Sequence, residues 1–245
     1  PPDDSSCGRI LPSSHSLLLW LNLCLCILLN TSVIIVCSNQ SRLSTDGFFK
    51  IALALMDAVF GLYLLGIECA DIYFGTDYVI SDSTWRNSML CSILSFVMFI
   101  CHINGMFVQC MLTAVPTVST VFVFKLKTIS VKYAVIMEFL ALGMMTLAYF
   151  ILKSTFDKSF SKSHSSMCIT LFFMPNSDVS WVFSHIYLTV YSFFTAVICV
   201  GHFIILTVTD TSRRRMAAYK VNLKLLSRTI LVSSFSVCTF GLVVG

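Results

Sequence analysis

Charge is what this chain has least of. Asp, Glu, Lys and Arg make up 11% of its 245 residues, and hydrophobic residues 57%. A typical soluble domain carries about 25% charged residues. The deficit excludes a soluble enzyme, a nucleic-acid-binding module and a disordered chain. Proline and glycine are also sparse, at five and ten residues without a tandem pattern, which excludes collagen-like and low-complexity sequence. No Gly-x-x-x-x-Gly-Lys-Ser/Thr, Gly-x-Gly-x-x-Gly or Gly-x-Ser-x-Gly stretch occurs, so phosphate-cradling loops and a nucleophile elbow have no support. His102, His185 and His202 lack His-Glu-x-x-His or Cys/His spacing. They read as packing or hydrogen-bonding histidines rather than metal ligands. The chain is expected to be no enzyme and to need no cofactor.

What is present is apolar length. A bilayer-spanning helix needs roughly 20 apolar residues, and six segments qualify as candidates: 17–37, 48–70, 89–124, 131–152, 181–209 and 223–245. The third holds no Asp, Glu, Lys or Arg from Leu90 to Phe124. Its length predicts a tilted helix or one that extends past the membrane. The sixth contains the apolar run Thr229–Gly245, which is expected to span only if Lys224 and Arg228 snorkel below it or the native chain continues. Residues 1–16 are expected to form an extracellular hinge. The chain begins Pro1-Pro2-Asp3-Asp4 and ends inside an apolar run, so it is expected to be the membrane portion of a longer protein.

Loop charges set the expected orientation. With the N-terminus outside, the inner loops hold Arg42, Lys50, Lys125, Lys127, Lys132, Arg213, Arg214, Arg215, Lys220, Lys224 and Arg228. That is 11 of the 16 basic residues. The bias favours a multi-pass membrane protein with its N-terminus outside. The net charge of +4 is then a property of the cytoplasmic face and requires no nucleic acid. Eight of the eleven cysteines lie in apolar runs and read as small buried hydrophobes: Cys24, Cys26, Cys37, Cys69, Cys101, Cys110, Cys199 and Cys238. Cys7, Cys91 and Cys168 fall on the outer side, where disulfides are permitted. A Cys91–Cys168 bridge would tie the loop before the fifth segment to the top of the third. Cys7 would then be free to pair with an ectodomain. The sequons at Asn30 and Asn39 fall in the membrane and on the cytoplasmic side, where neither would be glycosylated.

Particular residues then meet a family. Leu29-Asn30-Thr31-Ser32-Val33-Ile34 is similar to the first-helix Gly-Asn-x-x-Val stretch of rhodopsin-like G-protein-coupled receptors. Leu53-Ala54-Leu55-Met56-Asp57 is similar to their Leu-Ala-x-x-Asp. Gly61-Leu62-Tyr63-Leu64 with Asp71-Ile72, Trp85 ahead of Cys91, Leu112-Thr113 and Val123-Phe124-Lys125 resemble the leucine-rich-repeat-containing group, above all its relaxin-family peptide receptors. The resemblance covers most of the chain and is strongest from Ser6 to Lys125. It implies a seven-transmembrane-helix, all-α receptor bundle, with six helices in this chain. It also implies a polar site of Asn30 and Asp57, to which Asn104 would contribute from the third helix.

The departures are as specific. Where the family carries an Asp-Arg-Tyr or Glu-Lys-Tyr type triplet, this chain reads Val115-Pro116-Thr117. Proline cannot supply the arginine's acidic pairing or its reach to a G protein. It also removes a backbone donor, so a kink or an end to the helix is expected there. The fourth helix has no tryptophan at the expected place, the fifth no proline, and Thr239-Phe240-Gly241-Leu242 stands where Cys-Trp-x-Pro belongs.

Several residues carry two readings. Asp57 is either a sodium- or water-linked polar site or a protonated packing residue. Glu68 and Asp71, three apart and so on one helix face, either receive a basic ligand or ectodomain segment or form a solvated helix end. Glu138 either snorkels or pairs with a neighbouring helix, or it meets a partner subunit. Arg213, Arg214 and Arg215 form a basic patch for a G protein or for anionic lipid. Phe172, Phe173 and Trp181 are membrane-belt anchors or a binding mouth; Trp85, Phe172 and Phe173 join Glu68 and Asp71 as candidate ligand or ectodomain contacts.

The expected function is recognition of an extracellular peptide or protein ligand through a leucine-rich-repeat ectodomain, with weak or absent conventional G-protein coupling. The alternative is a non-signalling adhesion or structural subunit. Expected partners are the ligand, membrane lipids, and a G protein or other membrane subunits.

Overall fold

The computed structural model describes Ile10, residues 13–39, 43–121, 130–155, Cys168 and residues 178–215. Among these the chain is all-helical and contains no strand. The helices are α1 (Ser13–Ser38), α2 (Thr45–Phe74), α3 (Tyr78–Arg86), α4 (Met89–Val121), α5 (Val131–Thr155) and α6 (Asp178–Arg215). Four contain stretches long and apolar enough to cross a membrane: Ser16–Ser38, Thr45–Asp77, Met89–Val118 and Val131–Ile151. In α6 the apolar stretch is shorter, Thr189–Ile205.

The ends of α2 show why it is longer than its apolar run of 48–70. Ser44 is extended, and its hydroxyl accepts from the Gly47 backbone N–H at 3.0 Å, a serine N-cap. Asp46 occupies the first turn and pairs with Lys50 at 2.5 Å. At the other end Gly75 takes φ +50°, and its N–H reaches the Asp71 carbonyl. Glycine suits that left-handed φ because a Cβ is disfavoured there. A single 3-10 turn, Gly75–Asp77, then leads into α3. The nine-residue α3 lies between the apolar runs 48–70 and 89–124, where no helix was expected.

The long α4 is the hub of the bundle: it packs against α2, α5 and α6, and α1 packs along α2. Pro116 lies inside α4, and the helix runs on to Val121. Of the two outcomes expected there, a kink or an end to the helix, the end is excluded. The span expected at 223–245 lies outside the described residues.

Two apolar clusters hold the bundle. One gathers Ile10, Leu19, Leu23, Tyr63, Leu64, Ile67, Trp85, Leu94 and Met98 around Cys91 and Cys168. The other, at the opposite end, joins Phe49, Ala52 and Leu53 of α2 to Val108 and Leu112 of α4 and Ala134 of α5. Helix α2 approaches α4 closely at Gly66, where a Cβ would lie 2.8 Å from Leu94 Cδ2.

The polarity is distributed inside out. Glu68, Asp71, Ser95, Asn104, Gln109, Thr113 and Glu138 are buried, while Leu17, Leu28, Phe139, Leu140, Met144, Leu147 and Phe203 are exposed. Apolar surface on this scale is unfavourable in water and favourable in hydrocarbon. The cysteines divide accordingly. Cys26, Cys37 and Cys101 are buried, but Cys24, Cys69 and Cys199 are exposed, so the reading of them all as buried hydrophobes is corrected for those three. Cys238 lies outside the described residues.

Candidate functional site

The polar and covalent features form four levels along α4. At its start, Cys91 is bonded to Cys168, with Cα atoms 5.2 Å apart and both residues fully buried. Closing 77 residues of chain constrains the unfolded state by about 4.5 kcal/mol in the chain-entropy account. Cys168 has φ +55°, which is uncommon for a residue with a Cβ. Trp85 packs edge-on to Phe74 beside the cystine, and only 3% of its surface is exposed. Asp82 of α3 accepts hydrogen bonds from Arg86 Nε at 2.7 Å and from Tyr78 Oη, and its second oxygen pairs with Arg86 Nη2. Burial pushes the Asp82 carboxyl up, but the bonds from Arg86 and Tyr78 outweigh this and hold it below the usual carboxylate range.

The second level is the acidic pair of α2. Glu68 is 1% exposed and Asp71 4%, so the solvated helix end expected from the sequence is instead an interior one. The helix extends four residues past the expected boundary and turns this face toward α1. Ser16 Oγ of α1 donates to Glu68 Oε2 at 3.1 Å, and the Trp20 indole hydrogen-bonds the same carboxyl. Glu68 Oε1 has no partner. Glu68, Asp71 and Trp85, the candidate ligand or ectodomain contacts, are all buried in this arrangement. Phe172 and Phe173, grouped with them in the sequence, lie outside the described residues, as does Cys7.

At the third level the expected trio of Asn30, Asp57 and Asn104 separates. Asn30 Nδ2 donates to the Cys26 carbonyl of its own helix at 2.8 Å. Asp57 is half-buried. No hydrogen bond joins it to Asn30 or Asn104 among the described residues. Asn104 turns to α5, and its Nδ2 donates to Glu138 Oε1 at 2.6 Å. Asn104 is fully buried and Glu138 8% exposed. Asn104 Oδ1 and Glu138 Oε2 are buried without partners. Of the readings of Glu138, pairing with a neighbouring helix is the one seen; the carboxyl does not face an outside partner. Nearby, His102 stacks on Tyr191 of α6 at 5.7 Å.

The fourth level surrounds Val115, Pro116 and Thr117. Thr117 Oγ1 donates to the Thr113 carbonyl at 2.6 Å and lies 3.4 Å from the Gly201 carbonyl of α6. Gly201 is buried against Thr113, where a Cβ would sit 2.4 Å from Thr113 Cγ2. The triplet region thus forms a helix-helix contact between small residues. Arg213, Arg214 and Arg215 form the last residues of α6.

The Asn104–Glu138 bond was not anticipated. Two isolated polar side chains in adjacent apolar spans were the available signal. An equal count of residues from the middle of the 122–130 connection, however, sets Glu138 level with Ala114, not Asn104. No group of three or more His, Cys, Asp or Glu positioned to hold a metal occurs among the described residues. No protein-family model matches the chain, and no curated protein is significantly similar to it.

Proposed function

We propose that the chain is the helical portion of a rhodopsin-like receptor of the leucine-rich-repeat-containing group. It recognises an extracellular peptide or protein ligand through an ectodomain joined ahead of α1, with weak or absent conventional G-protein coupling. The observation that carries the reading is the Cys91–Cys168 cystine. It fastens the segment preceding α6 to the start of the hub helix, where ligand capture can be felt by the bundle. The packing of α4 against α2, α5 and α6 is compatible with such a bundle. In this reading the N-terminus is extracellular, the protein resides in the plasma membrane, and the three arginines ending α6 face lipid or a G protein.

A second reading, a non-signalling adhesion or structural subunit, is favoured by the Gly201 contact. There Thr113 and Thr117 of α4 pack directly against α6 on either side of Pro116. Signalling by helix separation would have to break that contact. The test is G-protein activation in cells by the full-length protein, alone and with candidate peptides, beside a Pro116→Arg variant. Activity of the natural sequence supports receptor function and removes the scaffold reading. Silence of both at confirmed surface expression supports the scaffold. Activity of the variant alone identifies a receptor frame disabled at one position.

A further inference from the structure

The two unpartnered oxygens of the α4–α5 contact are chemically complementary. Asn104 Nδ2 donates to Glu138 Oε1 at 2.6 Å, which leaves Asn104 Oδ1 and Glu138 Oε2 buried and unpaired. Both atoms are acceptors if Glu138 is a carboxylate, so neither can satisfy the other. A proton on Oε2 turns that oxygen into a donor. Oδ1 is then the one acceptor the same side chain pair leaves empty. A primary amide and a neutral carboxylic acid can close a ring of two hydrogen bonds, N–H to C=O and O–H to C=O.

The surroundings favour the neutral acid over the alternatives. Among the described residues no cation is paired with Glu138; both ion pairs lie elsewhere, at Asp46–Lys50 and Asp82–Arg86. The helices packed against α5 are α4 and α2; of their titratable side chains, Asp57 of α2 makes no hydrogen bond or ion pair with Glu138 among the described residues, and His102 of α4 stacks on Tyr191. A hard metal cation takes about six oxygen ligands, and only two are free here. An isolated carboxylate in an apolar interior is costly and neutralises by taking up a proton.

We propose that Glu138 is a proton-binding site: it holds a proton on Oε2 at neutral pH and donates it to Asn104 Oδ1, so that a reciprocal acid–amide pair locks α4 to α5. The ligand is a proton from water, gained as the helices assemble. Glutamine is the uncharged isostere of the bound state, because its amide N–H can replace the acid O–H.

Infrared spectroscopy of the whole chain in lipid nanodiscs at pH 7 tests this. The protonated-carboxyl C=O band is compared between the natural protein and Glu138→Gln, with thermal melting measured in parallel. The expected result is loss of a band component in Glu138→Gln with the melting temperature retained, and a lowered melting temperature in Glu138→Ala. The double variant Asn104→Asp with Glu138→Gln reverses the pair and is expected to restore the component. Asp57 and Glu68 are present in every sample and cancel in the differences. Three results would each overturn the proposal: no band loss in Glu138→Gln, a Glu138→Gln protein that melts as low as Glu138→Ala or fails to fold, or no recovery in the reversed pair.

Discussion

A methyl group at Gly201 is the sharpest perturbation of this bundle. Its Cβ would lie 2.4 Å from Thr113 Cγ2 and 3.3 Å from Thr117 Oγ1, while carbon atoms pack best at about 3.5–4.0 Å. Relief requires either rotation of Thr113 or separation of the helices. Thr113 is 2% exposed and its hydroxyl donates to the Gln109 carbonyl at 3.0 Å, so rotation costs that bond. Separation by about 1 Å forfeits up to half of the dispersion energy along the contact. Overpacking of this kind costs roughly 1–3 kcal/mol, and Gly201→Ala is expected to destabilise the protein by that amount. Thr113→Ser removes Cγ2 and keeps the hydroxyl. In the double variant it is expected to recover about 1 kcal/mol relative to the sum of the single effects. Thermal unfolding in detergent, followed with a thiol-reactive dye that reports exposure of buried Cys26, Cys37 and Cys101, measures both. An unchanged midpoint for Gly201→Ala, or no recovery with Thr113→Ser, would refute the close helix contact.

Three other outcomes follow from separate parts of the molecule. Cys168→Ala releases the 77-residue closure and is expected to cost about 4.5 kcal/mol, read as reduced surface expression and a lower melting temperature; an unaffected protein would mean that the cystine does not constrain the bundle. The Asp82 carboxyl is held low by Arg86 and Tyr78 despite its burial, so the stability it lends to α3 is full above the ordinary aspartate value of about 3.9 and declines as pH falls below that and through the depressed folded value, where the unfolded state binds more protons. Hydrogen exchange of α3 between pH 5 and 3 should show this decline and lose it in Asp82→Asn. Leu147 is 61% exposed on α5, and Leu147→Arg is expected to oppose membrane insertion of that helix by about 2.5–3.5 kcal/mol, measured by glycosylation mapping of α5; undiminished insertion would show that this face does not meet lipid.

The apolar runs located α1, α2, α4, α5 and α6 because long hydrophobic stretches leave few alternatives. Their ends were less legible. The limits of α2 are set by the Ser44 cap and by Gly75, neither of which belongs to the apolar run. Helix α3 was missed because it is held by short-range bonds among Tyr78, Asp82 and Arg86 and by Trp85 packing, with no long hydrophobic stretch to announce it. The Cys91–Cys168 pairing was legible because the expected topology left few cysteines on one side. The bonded partner of Asn104 was not, because pairing across helices depends on axial offset and rotation, and its amide donates to Glu138 of α5. Pro116 shows the limit of a local rule: loss of one backbone donor is tolerated within a helix packed on its neighbours.

The two ends of the hub helix are fastened by bonds of very different strength, and this bears on the choice between receptor and scaffold. At Cys91 the fastening is covalent. At Thr117 it is a 3.4 Å contact at the edge of hydrogen-bonding range plus the fit of Thr113 against Gly201. A movement of α4 against α6 at the Pro116 end therefore has only this weaker contact to break. A receptor that opens there must exchange the Gly201 contact for new ones in its active state, and a side chain at Gly201 would disfavour the closed form selectively. A scaffold has no open form to gain. Gly201→Ala should thus raise basal signalling in a receptor while lowering stability, whereas in a scaffold it should lower stability alone. A rise in basal signalling with Gly201→Ala would therefore single out the receptor.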